Sequence, residues 1–238
     1  QVQLRRRGDI EIISLDKEHS FDYLKKAVVK ADFIFHLAGE NRPKDPTDFM
    51  RVNKRLTETL TELATKAGRK IPIAYTSSIQ AELDNEYGKS KKAAEDALIE
   101  YNISSTSPVC IFRFPNLFGK WSRPNYNSVV STFCYNISHD LEITISDENR
   151  ELELTYIDDV VNAFNKLLDI ELDPQKHFYL VEKSFKITLG ELAKKIYGFK
   201  EMRETSILPD LSDEFTRDLY STYLSYLEKD NFSYEVEM

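Results

Sequence analysis

Residues 71–114 read IPIAYTSSIQAELDNEYGKSKKAAEDALIEYNISSTSPVCIFRF, and this stretch decides the fold. It opens with an apolar run at 71–78, continues with a segment of helical periodicity that carries NEYGKSK at 85–91, and ends with a second apolar run at 109–114. Short apolar runs that alternate with helix-period segments are typical of a parallel sheet covered by helices. The stretch therefore predicts a strand, a helix and a second strand parallel to the first.

The same alternation continues on both sides of this stretch. On its amino-terminal side, strands are predicted at 9–15 and 33–39, and helices at 21–31 and 49–67. The pattern on its carboxy-terminal side is more mixed. Helices are predicted there at 129–137, 159–168, 189–197 and 211–227, and extended segments at 142–145, 152–157 and 177–181. We therefore predict an α/β protein with a sheet core at 1–120 and a smaller mixed region at 121–238, some elements of which return to the core.

The helix predicted at 211–227 carries a single apolar stripe. Its members recur at helical spacing: Leu211, Phe215, Leu219, Tyr223 and Leu227, with Tyr220 and Tyr226 beside them. An aromatic stripe of this kind is typical of a hydrophobic core or of a subunit interface.

Composition and charge exclude several classes of protein. The 238 residues carry a formal net charge of −8, which provides no general attraction for nucleic acid, and the basic run LRRRG at 4–8 is more typical of a solvated helix end. No apolar stretch approaches the roughly 18 residues of a membrane span. Cys110 and Cys134 lack CxxC spacing and the four histidines are scattered, so neither a disulfide framework nor a metal site is predicted. A reducing cytoplasm is the expected location.

Tyr87 and Lys91 share one face of the helix predicted between the two strands. Tyr87, Lys91, Ala94, Leu98 and Tyr101 recur at spacings of three and four, which predicts that this stripe is buried. Tyr87 and Lys91 then lie at the amino end of the helix, beside the carboxyl end of the preceding strand. Open α/β sheets bind their ligands at this position.

A phenol, an ammonium and a hydroxyl at this place predict proton-transfer chemistry. An ammonium one helical turn away favours the phenolate, so we expect Lys91 to lower the pKa of Tyr87 from about 10. Ser78, or failing that Ser77, supplies a hydroxyl at the end of the strand, although a terminal serine pair is equally typical of a turn. Together the three groups suit the interconversion of a carbonyl and an alcohol.

Five motifs in order resemble the short-chain dehydrogenase/reductase family, in the extended branch that acts on nucleotide sugars. They are FIFHLAGENRP at 33–43, RVN at 51–53, TSSIQ with EYGKSK at 76–91, FRFPNLFGKW at 112–121 and YIDDV at 156–160. The resemblance covers nearly all of the chain. It implies a Rossmann-like, doubly wound parallel sheet followed by a smaller substrate-binding region. Within the branch, the motifs are closely similar to those of capsular polysaccharide enzymes that join a reductase domain to a carboxy-terminal cupin domain.

This resemblance implies an NADPH- or NADH-dependent reductase of a 4-keto UDP-sugar, in a pathway of the UDP-N-acetyl-L-fucosamine type. In that role Tyr87 would donate the proton to the C4 oxygen, Lys91 would lower its pKa and hold the nicotinamide ribose, and Ser78 would orient the ketone. The resemblance also implies a homodimer, without nucleic acid, metal or membrane insertion.

The same resemblance assigns further contacts. The cofactor contacts, besides Tyr87 and Lys91, are Leu37, Ala38 and Gly39 on the adenosine and phosphate side, and Phe114 and Leu117 beside the nicotinamide. The substrate contacts, besides Ser78, are Asn116, Arg123 and Asn127. For the segment SRPNYNS at 122–128 a surface loop remains the alternative.

Two parts of the family pattern are not matched. The glycine-rich GxxGxxG turn that holds the cofactor pyrophosphate is not found, and residues 1–8 match only the end of the helix that follows it. We therefore expect that the first βα unit is absent, that the natural protein is longer or the reading frame truncated, and that the chain as written binds a dinucleotide poorly. The sequence DNFSYEVEM at 230–238 stops about where the cupin part would begin, so C3 epimerase activity is not expected.

Other activities of the same branch need particular residues beside these three groups. Ile79 and Gln80 follow Ser78 where a 4,6-dehydratase needs an acid and a base, so elimination is disfavoured. A nucleotide-sugar 4-epimerase uses the same three groups as a reductase and stays open. A non-catalytic family member that no longer binds the cofactor also stays open.

Overall fold

The computed structural model describes residues 1–205 and 209–228, and its chain divides into two compact units. The first unit contains residues 1–114 and 161–181, and the second contains residues 115–160 and the described residues from 182 onward. Among the described residues, no helix is both long and apolar enough to cross a lipid bilayer.

A parallel sheet of four strands forms the centre of the first unit, in the order β1, β2, β3, β6. The strands are β1 (Ile34–His36), β2 (Ile73–Ser78), β3 (Val109–Phe114) and β6 (Phe178–Tyr179). The register pairs Ser77 with Arg113 and Ser78 with Phe114, at the carboxyl ends of β2 and β3. The strand, helix and parallel strand predicted over 71–114 are therefore confirmed.

Most of the helices of the first unit lie between these strands in the sequence. They are α1 (Phe21–Lys30), α2 (Thr47–Phe49), a π-helical segment (Met50–Lys54), α3 (Arg55–Lys66) and α4 (Glu86–Ser105), with 3₁₀ turns at Leu4–Arg6 and Ile79–Glu82. Helix α6 (Ile157–Leu167) contributes its later residues to this unit. Most of the core of this unit comes from helices α3 and α4 and strands β2 and β3. Its buried members are Val28, Leu60, Leu63, Ala64, Ile71, Ile73, Tyr75, Ala94, Leu98, Tyr101, Val109 and Ile111.

The second unit is built on a mixed sheet of three strands, β4 (Asn116–Phe118), β5 (Glu151–Tyr156) and β7 (Phe185–Thr188). Strand β5 is parallel to β4 and antiparallel to β7. Helices α5 (Val129–Ser138), α7 (Leu189–Thr205) and α8 (Glu214–Leu224) complete this unit and its separate apolar core. The predicted α/β class, with a parallel sheet and a mixed region, is confirmed.

The aromatic stripe predicted on the last helix lies in the core of the second unit. Phe215, Leu219, Tyr220 and Tyr223 of α8 are buried there. Leu211 is exposed, because α8 begins only at Glu214. The stripe is therefore a core element, one of its two predicted roles.

Several predicted strand boundaries are wrong. The strand predicted at 9–15 does not form, because residues 10–16 have no regular secondary structure, and β1 covers only three of the seven residues predicted at 33–39. A strand is stable only where a neighbour pairs with its N–H and C=O groups. Strand β1 is an edge of the sheet and pairs only with β2 among the described residues, so the segment at 9–15 gains no ladder there. Strands β4 and β7 were not predicted, because each is only three or four residues long.

Candidate active site

The end of β2 and the start of α4 are joined by a tightly capped connection. The Ser78 hydroxyl accepts a hydrogen bond from the N–H of Gln80 at 3.2 Å and so caps the 3₁₀ turn. The Asn85 side chain accepts one from the N–H of Gly88 at 2.7 Å and so caps α4. A Cβ atom at Gly88 would lie 2.1 Å from the carbonyl oxygen of Gln80. Only glycine therefore lets the first turn of α4 lie this close to the 3₁₀ turn.

Tyr87 lies in this first turn of α4 and is half-buried. The Ser78 hydroxyl acts on its phenol as a hydrogen-bond donor that lowers its pKa, and its ring lies 5.6 Å from the ring of Phe49. The structure therefore brings together the tyrosine and the serine that the sequence analysis selected. Ser77, the alternative, has a different partner, described below.

Lys91 is buried one turn further along α4 and points to β2. Its Nζ donates to the carbonyl oxygen of Thr76 at 2.8 Å and to the hydroxyl of Tyr75 at 3.2 Å. It lies 6.0 Å from the ring centroid of Tyr87. Burial lowers the pKa of Lys91 to about 8, and the charge of Glu95 opposes this change.

The expected lowering of the Tyr87 pKa by Lys91 is wrong for this arrangement. Burial of the phenol raises the pKa of Tyr87, and the hydrogen bond from Ser78 offsets only part of this rise. The ammonium of Lys91 is engaged by Thr76 and Tyr75 instead of by the Tyr87 oxygen. Periodicity places both side chains on one face but does not determine where the ammonium points.

His36 and Asn53 extend the site beyond the residues that the sequence analysis selected. The Asn53 side chain accepts from the N–H of Glu40 at 2.7 Å and donates to the Glu40 carbonyl at 3.0 Å, so it fixes the chain after β1. The same amide donates to the Ser90 hydroxyl of α4 at 2.9 Å. The His36 Nε2 lies 2.9 Å from the Thr57 hydroxyl, which itself donates to the Asn53 carbonyl at 2.7 Å. The imidazole therefore donates from Nε2, and burial lowers its pKa to about 3.

The three predicted cofactor contacts that follow β1 lie at its carboxyl end, and their roles stay predictions. Leu37, Ala38 and Gly39 are exposed there. A Cβ atom at Gly39 would lie 3.0 Å from Asn53 Oδ1 and 3.2 Å from Lys91 Nζ. A side chain at this position would therefore crowd Asn53 and the buried ammonium of Lys91. Phe114 ends β3 next to Ser78 and is buried.

Four predicted contact residues lie in the second unit, and their roles stay predictions. Asn116 and Leu117 belong to β4, where the Asn116 amide donates to the carbonyl of Glu153 at 3.2 Å. Arg123 and Asn127 are exposed in the loop before α5. The guanidinium of Arg123 lies 5.5 Å from the ring of Tyr126 in the same loop.

A buried ion pair that was not predicted from the sequence lies beside the site. Glu95 of α4 is fully buried, and both of its oxygens contact the guanidinium of Arg113 on β3. Its position four residues after Lys91 was the available signal, because it places a carboxylate near the predicted buried stripe. No cluster of three or more His, Cys, Asp or Glu side chains suitable for a metal ion occurs within 1–205 and 209–228.

Comparison with known proteins gives consistent matches. The model of a family described as the NAD dependent epimerase/dehydratase family matches residues 2–181. The UDP-2-acetamido-2,6-beta-L-arabino-hexul-4-ose reductase of Pseudomonas aeruginosa is 48% identical to this chain over 237 residues. That alignment covers 100% of this chain and 63% of the relative.

Solved structures give the same result. The capsular polysaccharide assembling protein CapF from Staphylococcus aureus matches with a TM-score of 0.89 and 41% identity, over 98% of this chain and 63% of CapF. The UDP-glucose 4-epimerase of Thermus thermophilus in its complex with NAD matches with a TM-score of 0.71 and 17% identity, over 86% of this chain and 81% of that one. This last likeness shows the Rossmann-like fold.

The chain thus spans 63% of the length of both the Pseudomonas reductase and CapF. The family model covers the whole of the parallel sheet, including β2, α4 and β3, which carry Ser78, Tyr87 and Lys91. The resemblance read from the five sequence motifs is confirmed. The chain belongs to the NAD dependent epimerase/dehydratase family.

Proposed function

We propose that this protein is an NADPH- or NADH-dependent reductase of a 4-keto UDP-sugar, in the synthesis of a capsular or surface polysaccharide precursor of the UDP-N-acetyl-L-fucosamine type. The observation that carries the proposal is the grouping of Ser78, Tyr87 and Lys91 at the carboxyl end of β2. Two relatives support it, because one is named as a UDP-hexul-4-ose reductase and the other as a capsular polysaccharide assembling protein.

A nicotinamide cofactor supplies hydride when it is bound, in agreement with a family described as NAD dependent. In this proposal Leu37, Ala38 and Gly39 line the cofactor and Phe114 borders its nicotinamide. A ribose hydroxyl occupies the space that the missing side chain of Gly39 leaves open, and the ammonium of Lys91 binds it there. A buried ammonium forms a stronger hydrogen bond to such a hydroxyl than an exposed one, because water competes less.

Tyr87 is the proposed proton donor to the C4 oxygen of the sugar. A donor must hold its proton until negative charge develops on the substrate, and the raised pKa of Tyr87 keeps the phenol protonated at neutral pH. Ser78 lies within hydrogen-bonding reach of Tyr87 and would orient the ketone toward it. Tyr87 can therefore act without the lowered pKa that the sequence analysis expected.

The proposal also includes a homodimer in the cytoplasm. Cys110 and Cys134 are free and buried, which is compatible with a reducing compartment. Light scattering on the purified protein measures the subunit number directly, and a monomer would contradict this part of the proposal.

Incubation of the purified protein with NADPH and a UDP-4-keto-hexose tests the proposed function. We expect one molecule of NADPH to be consumed for each 4-hydroxy sugar formed, measured by absorbance and by chromatography of the sugar nucleotide. Interconversion of C4 epimers without net use of NADPH would favour the 4-epimerase instead. Binding of NADPH without turnover of any keto sugar would favour a non-catalytic family member.

A further inference from the structure

Glu95 is a charged group inside the first unit that the proposed chemistry does not yet use. Its side chain is fully buried, and it accepts three hydrogen bonds. The hydroxyl of Ser77 donates to Oε1 at 2.5 Å, Nε of Arg113 donates to Oε1 at 2.9 Å, and Nη2 of Arg113 donates to Oε2 at 2.6 Å. A buried carboxylate is costly unless it is paired in this way, so the arrangement depends on each of these contacts.

Arg113 is held from several sides, which fixes the geometry of the pair. Its Nη1 donates to Glu82 Oε1 at 2.5 Å, and its guanidinium lies 4.7 Å from the ring of Phe178. The strand register places Arg113 directly beside Ser77. Glu95 therefore connects α4 to β2 through Ser77 and to β3 through Arg113.

These contacts lie next to the residues of the proposed reaction. Ser77 immediately precedes Ser78, and Glu95 follows Lys91 and Tyr87 at successive turns of α4. We propose that Glu95 is a positioning residue of the site, which fixes Ser78 relative to α4 and supplies the negative charge that stabilises the Lys91 ammonium. This inference rests on the proposed function, because it assigns Glu95 a part in the same reaction.

Glu95 is the carboxylate that raises the pKa of Lys91, and the guanidinium of Arg113 pairs with the same carboxylate. The other titratable groups that face Lys91 are His36 from β1, Tyr75 from β2 and Tyr87 from α4. Burial lowers the pKa of His36 to about 3 and raises the pKa values of both tyrosines, so all three are neutral at pH 7. Glu95 raises the pKa of Lys91 against the effect of burial, and its removal should lower that pKa below about 8.

Three variants separate the effect of the Glu95 charge from the effect of its contacts with Ser77 and Arg113. E95Q keeps the size of the side chain and removes its charge, whereas E95D keeps the charge and is one methylene shorter. E82Q is the matched control, because Glu82 pairs with the same arginine but has an exposed side chain. The readouts are the titration of Lys91, followed by NMR with isotope-labelled lysine and assigned with a Lys91→Arg protein, and the pH profile of kcat.

We expect E95Q to move the Lys91 titration and the matching limb of the kcat profile down by about one pH unit. E95D should leave the Lys91 titration close to that of the wild type and lower kcat by about tenfold or more, because Ser78 is displaced. E82Q should change neither readout. Circular dichroism reports whether each variant is folded, and E95D decides the proposal if E95Q does not fold.

An unchanged Lys91 titration in folded E95Q, or wild-type kcat in E95D, would overturn the inference. The proposed function fails on a different result, namely that the wild-type protein consumes no NADPH with keto sugars. The Lys91 titration does not depend on turnover, so it still tests the charge effect of Glu95 in that case.

Discussion

Tyr87 suits its predicted role as a proton donor with a raised pKa instead of the lowered pKa expected from the sequence. The sequence predicts an acidified phenol, since Lys91 follows one turn later on the same face. The structure gives a phenol with a raised pKa, because burial outweighs the hydrogen bond with Ser78 and the ammonium is turned toward Thr76 and Tyr75. A neutral phenol is the form that donates a proton, so Tyr87 suits a reductase.

Replacement of Tyr87 by phenylalanine tests this role. The phenol oxygen is lost and the ring is kept, so we expect kcat to fall by about 10²–10⁴-fold while the affinity for NADPH stays within about twofold. Turnover is measured by NADPH absorbance and affinity by fluorescence titration. Tyr23→Phe, at an exposed tyrosine of α1, is the matched control and should behave as the wild type. A Y87F protein with undiminished turnover would reject the role.

Because His36 is buried and its pKa is lowered, we expect the stability of the protein to depend on pH. Its pKa is lowered from 6.5 to about 3 in the folded protein, so the unfolded chain binds a proton on this residue below about pH 6.5 and the folded chain does not. The contribution of neutral His36 to the unfolding free energy is fully present above pH 6.5 and is lost as the pH falls toward 3. At about pH 4.5 the loss amounts to about 2 to 3 kcal/mol.

His36→Gln should therefore flatten the curve of unfolding free energy against pH. Glutamine keeps a donor for the Thr57 hydroxyl but does not titrate. We expect the variant to lose about 2 to 3 kcal/mol less than the wild type between about pH 7 and pH 4.5, measured by urea denaturation. The control is Thr57→Ser, which keeps both the imidazole and its hydroxyl partner and should keep the wild-type dependence on pH. Parallel curves for H36Q and the wild type would contradict the prediction.

At the scale of elements, α4 carries the site because its buried face combines apolar and polar residues. Lys91, Ala94, Leu98 and Tyr101 are buried as predicted. The same face also buries polar and small residues that hydrophobic periodicity does not select: Gly88, Ser90, Glu95 and Asn102. Ser90 and Glu95 are stable there because partners on β2, β3 and the π-helical segment satisfy them, and the Asn102 amide donates to the carbonyl oxygens of Ser107 and Pro174.

Gly88→Ala tests how closely the start of α4 must pack. The added methyl group would meet the carbonyl oxygens of Gln80 at 2.1 Å and Leu83 at 2.8 Å, which are backbone atoms that cannot rotate away. We expect a loss of about 2 kcal/mol or more in unfolding free energy. We also expect at least about a tenfold loss of kcat, since the neighbouring Tyr87 must shift.

Gly198→Ala is the matched control for this substitution. Gly198 also lies within a helix, but a Cβ atom there would meet nothing within 4 Å. This variant should be neutral or up to about 1 kcal/mol more stable, because alanine favours a helix. Equal behaviour of the two variants in denaturant and turnover measurements would contradict the packing argument.

In the whole molecule, the residues at 1–205 and 209–228 form two apolar core clusters with no member in common. Leu98 is fully buried in the core of the first unit, and Leu219 is fully buried in that of the second. Each replacement by alanine should cost about 2–5 kcal/mol. Hydrogen exchange should show the loss of protection mainly in the unit that carries the substitution. A loss spread evenly over both units by either variant would contradict two separate cores.

The order of most helices and strands, the α/β class and the candidate residues Ser78, Tyr87 and Lys91 can be read from the amino-acid sequence alone. Burial of strands on both faces leaves continuous apolar runs, and helices leave a period near 3.6, so both are visible in the chain. The motifs around Ser78, Tyr87 and Lys91 are also sufficient to indicate the family.

Which polar groups contact one another depends on the folded chain. Whether 9–15 forms a strand depends on a neighbouring strand, and the partners of Lys91 and Glu95 come from β2 and β3, which lie far away in the sequence. Burial sets the pKa values of Tyr87, Lys91 and His36, because removal from water disfavours the charged form of each group. A local pattern carries no information on the depth of burial of its own side chains or on the charges packed against them.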